Sequence, residues 1–240
     1  MRNVLITGAS RGLGLAMARK LAADGFRVVA VARKPSEALD ALMAETNGAV
    51  VFHPYDLMEV EGLPALVKAI RAEVGPIYAL VNNAGIGTAG LLVALSPAKI
   101  EALVRLNTLS PILLTRAAAR SMLAEGAGRI INVSSIIATT GFNALSVYGA
   151  TKASLIGFTR SLARELGPAG VTVNAIAPGF IETEMTGDMG EADLGKVKGR
   201  SALRRLAEAE DVAAAVSYLM SEGARNVTGT VLTVDAGGTA

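Results

Sequence analysis

The chain of 240 residues has no cysteine, no tryptophan and a single histidine. Without cysteine, disulfides and thiolate metal sites are excluded, and the redox compartment in which the protein works cannot be inferred. No cluster of histidines or carboxylates has the spacing of metal ligands, so no metal site is predicted. The one histidine, His53, precedes Pro54 at the end of an apolar segment, where we expect a structural role.

Charge is nearly balanced, with 23 basic residues, 21 acidic residues and a net charge of +2. Aromatic residues make up only 4% of the chain, and no basic run is interleaved with them, which argues against nucleic-acid binding. The longest uncharged stretch, residues 74–98, contains four glycines and two prolines and is typical of strand and loop, not of a membrane span. Because Met1 lies directly before the first apolar segment, we expect no signal peptide and a cytoplasmic protein.

Short apolar segments alternate with helical patterns along the chain, whose length favours a single domain over residues 1–240. The predicted strands are Val4–Ile6, Arg27–Ala32, Ala49–Phe52, Ile77–Val81, Arg129–Val133, Val171–Ala175 and Thr230–Val234. Such alternation predicts an α/β fold, because right-handed crossovers build a parallel, doubly wound sheet with helices on both faces.

Helical patterns occupy most of the segments between these strands. The predicted helices are Leu13–Ala23, Ser36–Thr46, Glu59–Val74, Pro97–Leu106, Pro111–Leu123, Val147–Leu166 and Glu208–Met220. The pattern of the fourth and fifth is also compatible with one continuous helix. The segment from Pro178 to about Ser201 is predicted to be irregular.

Three glycines, Gly8, Gly12 and Gly14, lie between the first predicted strand and the first predicted helix. At such a turn glycine lets the backbone approach a pyrophosphate, whose charge is stabilised by the free N–H groups and the dipole of the helix N-terminus. The spacing Gly-x-x-x-Gly-x-Gly differs from the usual dinucleotide fingerprint, and glycine also serves ordinary tight turns. The position between strand and helix is what indicates a dinucleotide site.

Tyr148 and Lys152 are four residues apart in a predicted helix, and Ser135 lies thirteen residues before the tyrosine. Residues at i and i+4 share one helix face, so a phenol and an ammonium group are expected side by side. A neighbouring cation lowers the pKa of a phenol, which brings Tyr148 towards the range of general acid and base catalysis. The pair by itself is also compatible with a half-buried core tyrosine.

Six motifs follow one another on the predicted elements: Thr7–Gly14, Asn82–Gly85, Asn107, Ser134–Ser135, Tyr148–Lys152 and Pro178–Thr183. Through them the chain resembles the short-chain dehydrogenase/reductase family over essentially its whole length. The segments Gly128–Ser135 and Pro178–Met185 are most similar to the 3-oxoacyl-acyl-carrier-protein reductase type. The resemblance implies a Rossmann-type domain with a substrate lid at about residues 180–205.

The resemblance also implies catalytic roles. Tyr148 would donate a proton to a carbonyl oxygen, and Lys152 would lower the pKa of that phenol and hydrogen-bond the nicotinamide ribose. Ser135 would polarise the carbonyl, while Ser134 would be a structural hydroxyl. Asn107 would hold a water that links Lys152 to solvent, although an asparagine at this place is otherwise typical of a helix end.

Cofactor contacts are implied for the glycine loop and for the turns that follow later strands: Gly8, Ser10, Arg11, Gly12, Leu13, Gly14, Arg33, Asp56, Leu57, Asn83, Ala84, Gly85, Tyr148, Lys152, Pro178, Ile181 and Thr183. Asp56 would contact the adenine amino group, with a solvated turn aspartate as an equal alternative. Ile181 and Thr183 would contact the nicotinamide carboxamide.

The end of the second strand reads Ala32–Arg33–Lys34 and lacks the carboxylate that binds the ribose 2′-hydroxyl in NAD-dependent proteins. Arg33 can bind a 2′-phosphate through two parallel hydrogen bonds, and Arg11 adds a second positive charge. Ordinary solvation of a basic loop is the alternative. The sequence therefore favours NADP(H) over NAD(H).

Taken together, the residues predict an NADPH-dependent reductase of a ketone, a 3-oxoacyl thioester or a similar carbonyl. The alternatives are an alcohol or sugar-alcohol dehydrogenase working oxidatively and a non-catalytic NADP(H)-binding sensor. The resemblance also implies a homo-oligomer, a dimer or a tetramer, paired through the long helices. Extra basic residues that would dock an acyl carrier protein are missing from residues 125–128 and 167–170.

Overall fold

The computed structural model describes residues 1–181 and 191–240, and in this part of the chain seven strands form one parallel sheet. The strands are β1 (Asn3–Thr7), β2 (Arg27–Ala32), β3 (Val50–Pro54), β4 (Ile77–Asn82), β5 (Gly128–Val133), β6 (Val171–Pro178) and β7 (Val231–Val234). Their order across the sheet is β3-β2-β1-β4-β5-β6-β7. The predicted doubly wound parallel sheet is confirmed.

Helices cover both faces of this sheet. They are α1 (Gly12–Ala23), α2 (Glu37–Glu45), α3 (Leu63–Val74), α4 (Pro97–Val104), α5 (Ser110–Glu125), α6 (Ile137–Thr140), α7 (Ser146–Leu166), α8 (Glu191–Arg200) and α9 (Ala209–Met220). One core lies under α1 and α9, and the other lies under α3, α5 and α7.

The central strand β1 shows why this sequence forms a sheet covered on both sides. Val4 and Ile6 belong to the core under α1 and α9, whereas Leu5 belongs to the opposite core, and all three are fully buried. Successive side chains of a strand point to opposite faces, so a strand that is apolar throughout needs cover on each. Truncation of such a side chain to alanine costs about 2–5 kcal/mol.

The structure decides one alternative that the sequence left open and corrects the prediction for one other segment. The two predicted helices around residue 108 are joined without a break, because a π-helical turn, Arg105–Leu109, connects α4 to α5. Residues 191–200, predicted to be irregular, form α8. Gly195 and Gly199 lower its helix propensity, but Lys198 and Arg200 in the last turn interact favourably with the helix dipole.

The carboxyl ends of β1 and β4 form the point where the strand order reverses, since β1 pairs with β2 on one side and with β4 on the other. Ligands of open parallel sheets bind in the crevice at this point. In the described parts of the chain, no helix has both the length and the apolar character needed to cross a membrane.

Candidate active site

The glycine loop folds closely over the start of α1. Gly8 and Gly12 have φ angles of 66° and 52°, in the left-handed region that glycine adopts without strain. A Cβ atom on Gly14 would lie 2.1 Å from the carbonyl oxygen of Gly8, so the close approach of loop and helix requires glycine. The first turn of α1 carries no acidic residue, and its Arg11 cap makes no side-chain hydrogen bond to the helix. The loop therefore leaves backbone N–H groups available for an anion and fits a pyrophosphate.

Thr7 joins this loop to the turn after β4. Its hydroxyl oxygen accepts hydrogen bonds from the backbone N–H groups of Asn83, at 2.9 Å, and Ala84, at 3.0 Å. The Asn83 amide in turn donates to the carbonyl oxygens of Thr7 and Gly8. This role of Thr7 was not predicted, although a polar residue at the end of a buried apolar strand is a signal for it.

The turn after β2 is fixed to the same loop. The Ser36 hydroxyl donates to the carbonyl oxygen of Ser10 and accepts from the backbone N–H of Leu39, so it caps α2 and also holds the glycine loop. Arg33 and Lys34 lie exposed just before it. This position at the end of β2 is compatible with the predicted contact to a 2′-phosphate.

Asp56 and Leu57, after β3, are placed at the far end of the crevice. A carboxylate oxygen of Asp56 accepts from the backbone N–H of Met58 at 2.9 Å, which is the structural role that the sequence left open. The Leu57 side chain is buried in the core under α3, so its backbone and not its side chain is the part that can meet a ligand. An adenine contact by Asp56 stays a prediction.

Lys152 is buried at the end of the sheet. Its ammonium group donates to the carbonyl oxygen of Val133 at 2.8 Å, and the Ser134 hydroxyl donates to the Lys152 carbonyl at 2.8 Å. Ser134 therefore has the structural role that was predicted. Burial lowers the pKa of Lys152 to about 8, because desolvation disfavours the charged amine.

Tyr148 lies beside Lys152, whose ammonium nitrogen is 5.9 Å from the centre of the phenol ring. Burial raises the pKa of Tyr148, and the hydrogen bond with Ser135 opposes that increase without cancelling it. The expectation that Lys152 lowers the phenol pKa is wrong for this structure, because desolvation is the larger effect and Lys152 is directed to the sheet. The phenol therefore stays protonated at neutral pH, as a proton donor must.

Ser135 is nearly buried, and its hydroxyl oxygen accepts from the backbone N–H of Ile137 at 3.2 Å. Residue 136 ties this turn to the end of β6, because the Ile136 N–H donates to the carbonyl oxygen of Pro178 at 3.1 Å. Ser135 is thus held between the tyrosine and the predicted nicotinamide segment. That position allows it to hydrogen-bond a carbonyl that also contacts Tyr148.

Asn107 lies in the π-helical turn and is fully buried. Its amide nitrogen donates to the Ile86 carbonyl at 2.9 Å and to the Thr151 hydroxyl at 3.2 Å, and its amide oxygen accepts from the Ile86 N–H at 2.9 Å. The side chain is therefore committed to positioning the chain after Gly85. The predicted water link from Asn107 to Lys152 remains a prediction.

The segment after β6 completes the crevice. Ile181 is buried and forms a parallel bridge with Ala207, while Phe180 packs against Phe142 with ring centres 5.8 Å apart. Thr183, the other predicted carboxamide contact, lies outside the described residues.

The structure brings Asn107, Ser135, Tyr148 and Lys152 together next to the glycine loop. A Cβ on Gly85 would lie 3.2 Å from the Asn107 amide oxygen and 3.4 Å from the Lys152 ammonium nitrogen, so these three residues meet at one point. Within residues 1–181 and 191–240, no group of histidines and carboxylates is placed to hold a metal ion. The arrangement suits proton transfer to an oxygen beside a bound dinucleotide.

Comparison with known protein families and sequences identifies one group. The model of the family described as short chain dehydrogenase matches residues 2–194. The 3-oxoacyl-[acyl-carrier-protein] reductase FabG of Escherichia coli is 37% identical over 235 residues, which cover 97% of this chain and 95% of that protein. FabG of Pseudomonas aeruginosa is 39% identical over 239 residues, covering 97% and 95%. Nodulation protein G of a Rhizobium species is 37% identical over 236 residues, covering 98% and 96%.

Solved structures show the same fold. A gluconate 5-dehydrogenase from Burkholderia cenocepacia, in complex with NADP and tartrate, matches with a TM-score of 0.93 and 32% identity over 99% of this chain and 95% of that one. A blue fluorescent protein from a metagenomic library, in complex with NADPH, matches with a TM-score of 0.92 and 34% identity over 100% and 98%.

Proposed function

The chain belongs to the short-chain dehydrogenase family, and from this premise we propose that it reduces a ketone to a secondary alcohol with NADPH, its substrate being a 3-oxoacyl thioester or a similar carbonyl compound. The observation that carries the proposal is the meeting of Ser135, Tyr148 and Lys152 at the carboxyl end of β5. The similarity to FabG reductases over nearly the whole chain supports the 3-oxoacyl class.

NADP(H) is the proposed cofactor. The glycine loop fits a pyrophosphate, and Arg33 stands at the end of β2 where a carboxylate would exclude a 2′-phosphate. Two structural neighbours are described in complex with NADP or NADPH. When bound, the reduced nicotinamide supplies the hydride that converts a ketone to an alcohol.

The residues of the chain supply the proton and its position. Ser135 hydrogen-bonds the carbonyl oxygen, and Tyr148 donates its proton to that oxygen as negative charge develops there. The raised pKa of Tyr148 keeps the phenol protonated at neutral pH until the substrate oxygen becomes more basic. Lys152 is held beside Tyr148 by its hydrogen bond to the Val133 carbonyl, and its role in this proposal is to hydrogen-bond the nicotinamide ribose.

Consumption of NADPH with acetoacetyl-coenzyme A tests this function directly, run beside NADH and beside the variant Tyr148→Phe. We expect turnover with NADPH that the variant lacks. An inactive wild type with this thioester but an active one with other ketones would overturn the thioester class alone. Equal turnover by the variant would overturn the role of Tyr148.

A second candidate is an alcohol or sugar-alcohol dehydrogenase that works in the oxidative direction. The likeness to the gluconate 5-dehydrogenase supports it, because the two chains superpose over nearly their whole lengths. The raised pKa of Tyr148 opposes it at neutral pH, since oxidation needs the phenolate as base. NADP⁺-dependent oxidation of gluconate or of simple secondary alcohols, faster at pH 7 than the reverse reaction, would favour this candidate.

A non-catalytic sensor has little support because all four catalytic positions are occupied.

We also propose that the chain forms one domain with a substrate cover at about residues 180–205, and that it assembles as a homodimer or homotetramer. Val104, Leu109 and Leu123, on or next to α4 and α5, are more than a third exposed, which supports an interface on these helices. Light scattering after size-exclusion chromatography distinguishes the oligomers from a monomer. A cytoplasmic location remains a prediction from the sequence.

A further inference from the structure

The last residues of the chain form a tight turn that Asp235 organises. One carboxylate oxygen of Asp235 accepts from the backbone N–H of Gly237 at 2.9 Å, and the other accepts from the hydroxyl of Thr239 at 2.7 Å. The Asp235 carbonyl accepts from the N–H of Gly238 at 3.0 Å. The Asp235 carboxylate therefore makes two of the hydrogen bonds that hold residues 235–239, called the C-terminal turn below.

One side of the C-terminal turn contacts Gly179, near the start of the predicted nicotinamide segment. The Gly179 N–H donates to the carbonyl oxygen of Val234 at 2.9 Å. A Cβ atom on Gly179 would lie 2.6 Å from the Cβ of Asp235 and 2.8 Å from its Cα, so the two backbones are as close as glycine permits. A displacement of the Asp235 backbone would therefore displace Gly179 as well.

The other side of the C-terminal turn holds the residues that follow α8. The buried Ser201 hydroxyl donates to the Ala236 carbonyl at 2.6 Å, and the Leu203 N–H donates to the same oxygen at 3.1 Å. The Ala202 N–H donates to the Gly237 carbonyl at 3.3 Å. Ala236 has a φ angle of 55°, an unfavourable conformation for alanine that these contacts maintain.

These contacts connect the chain terminus to the catalytic centre. Pro178, next to Gly179, accepts the hydrogen bond from Ile136, the neighbour of Ser135. The segment from Pro178 to Ile181 is therefore held by the C-terminal turn at Gly179 and by the neighbour of Ser135 at Pro178. Side-chain placement in active sites is sensitive to such support, because a shift of about 1 Å can reduce the rate by about 10²-fold.

We propose that Asp235 is a positioning residue, which sets the segment Pro178–Ile181 against the nicotinamide end of the cofactor through the C-terminal turn. The inference rests on the proposed function, because it assumes that a nicotinamide binds beside this segment. It assigns Asp235 no contact with the substrate. The adenosine end of the cofactor, held by the glycine loop and Arg33, is independent of the C-terminal turn.

The variants Asp235→Ala and Asp235→Asn test the proposal with two probes. NADPH contains the nicotinamide, whereas 2′-phospho-ADP-ribose has the same phosphates and adenosine without it. In Asp235→Ala we expect about a 10-fold loss of kcat/KM for reduction and a weaker affinity for NADPH, with unchanged affinity for 2′-phospho-ADP-ribose. The amide oxygen of asparagine can accept from the Gly237 N–H, and its amide nitrogen can donate to the Thr239 hydroxyl oxygen, so Asp235→Asn is expected to restore most of the activity.

Asp24→Ala is the matched control. Asp24 also uses both carboxylate oxygens, towards Lys20 and Ser217, but it lies at the opposite end of α1 from the glycine loop. We expect it to lower the thermal midpoint of unfolding and leave the kinetic constants unchanged.

Two results would overturn the proposal: unchanged kcat/KM in Asp235→Ala, or an equal loss of affinity for both probes, which indicates a general structural effect. Wild-type binding of 2′-phospho-ADP-ribose without any reduction of ketones is a different outcome. It contradicts the proposed function. The NADPH affinities of the Asp235 variants then test the positioning role of Asp235 without any measurement of turnover.

Discussion

The ammonium nitrogen of Lys152 lies 2.8 Å from the carbonyl oxygen of Val133, the last residue of β5. This bond fixes the turn of α7 that carries Tyr148 and Lys152 to the strand end that continues into Ser135. It also places an amine in a buried position where the pKa falls to about 8. A lysine is retained here although its charged form is destabilised by burial, which is typical of a residue kept for catalysis.

Lys152→Met is expected to abolish reduction while it stabilises the fold at neutral pH. The folded-state pKa of about 8 is below the ordinary value of 10.5, so the unfolded chain binds the proton more tightly and burial destabilises the protonated protein. Methionine removes that penalty. Because the penalty fades as pH rises through the range between these two pKa values, the stability advantage of the variant should shrink by about 2 kcal/mol from pH 7 to pH 9.5.

Urea unfolding of wild type and variant at several pH values measures this difference. Lys68→Met, the same change at an exposed position of α3, provides the control. A stability difference for Lys152→Met that is constant with pH would contradict the buried, pKa-shifted amine.

Tyr148→Phe is expected to reduce the rate of ketone reduction by about 10²–10⁴-fold, because a positioned general acid contributes an effect of this size. The ring and its packing remain, so NADPH affinity should stay within a factor of a few of the wild type. Fluorescence titration with NADPH and single-turnover reduction separate the two quantities. If binding and turnover fall together, Tyr148 acts as part of the cofactor site and not as the proton donor.

Most of the site was accessible from the sequence because its residues occur in short motifs next to strand ends. Asn107, Ser135, Tyr148 and Lys152 meet as predicted, since the parallel sheet brings the carboxyl ends of its strands to one edge. The direction of the Tyr148 pKa was not accessible. It depends on how deeply the phenol is buried and on where the lysine points, and both are set by tertiary packing.

Supporting residues were harder to predict for the same reason. Thr7 and Ser36 bind backbone groups distant in sequence, and a lone hydroxyl in a sequence does not reveal its partner. Asp235 holds a local turn, whose contacts with Gly179 and Ser201 appear only in the folded chain. The sequence did not predict α8 because its two glycines are typical of a loop. Its basic residues in the last turn, however, are favourable for a helix.

Arg33→Asp is expected to shift the cofactor preference from NADPH towards NADH by at least about 10-fold in the ratio of kcat/KM values. The carboxylate would repel a 2′-phosphate and accept a hydrogen bond from the 2′-hydroxyl. Steady-state kinetics with both cofactors measure the ratio. Arg71→Asp changes the charge equally on the exposed surface of α3 and should leave it unaltered. An unchanged ratio in Arg33→Asp would show that Arg33 serves only to solvate the loop.

Gly14→Ala is expected to weaken NADPH binding and to destabilise the fold by about 1–3 kcal/mol, because the added methyl group would overlap the carbonyl oxygen of Gly8 at 2.1 Å. The loop can relieve the overlap only by moving away from the helix, which removes N–H groups from the pyrophosphate. Gly157→Ala is the control within α7, where a Cβ meets nothing within 4 Å. There the better helix propensity of alanine should stabilise the protein by up to about 1 kcal/mol without affecting NADPH. Calorimetric titration measures the NADPH affinity of both variants. Normal affinity in Gly14→Ala would show that NADPH binding does not require the close approach of the loop and helix backbones.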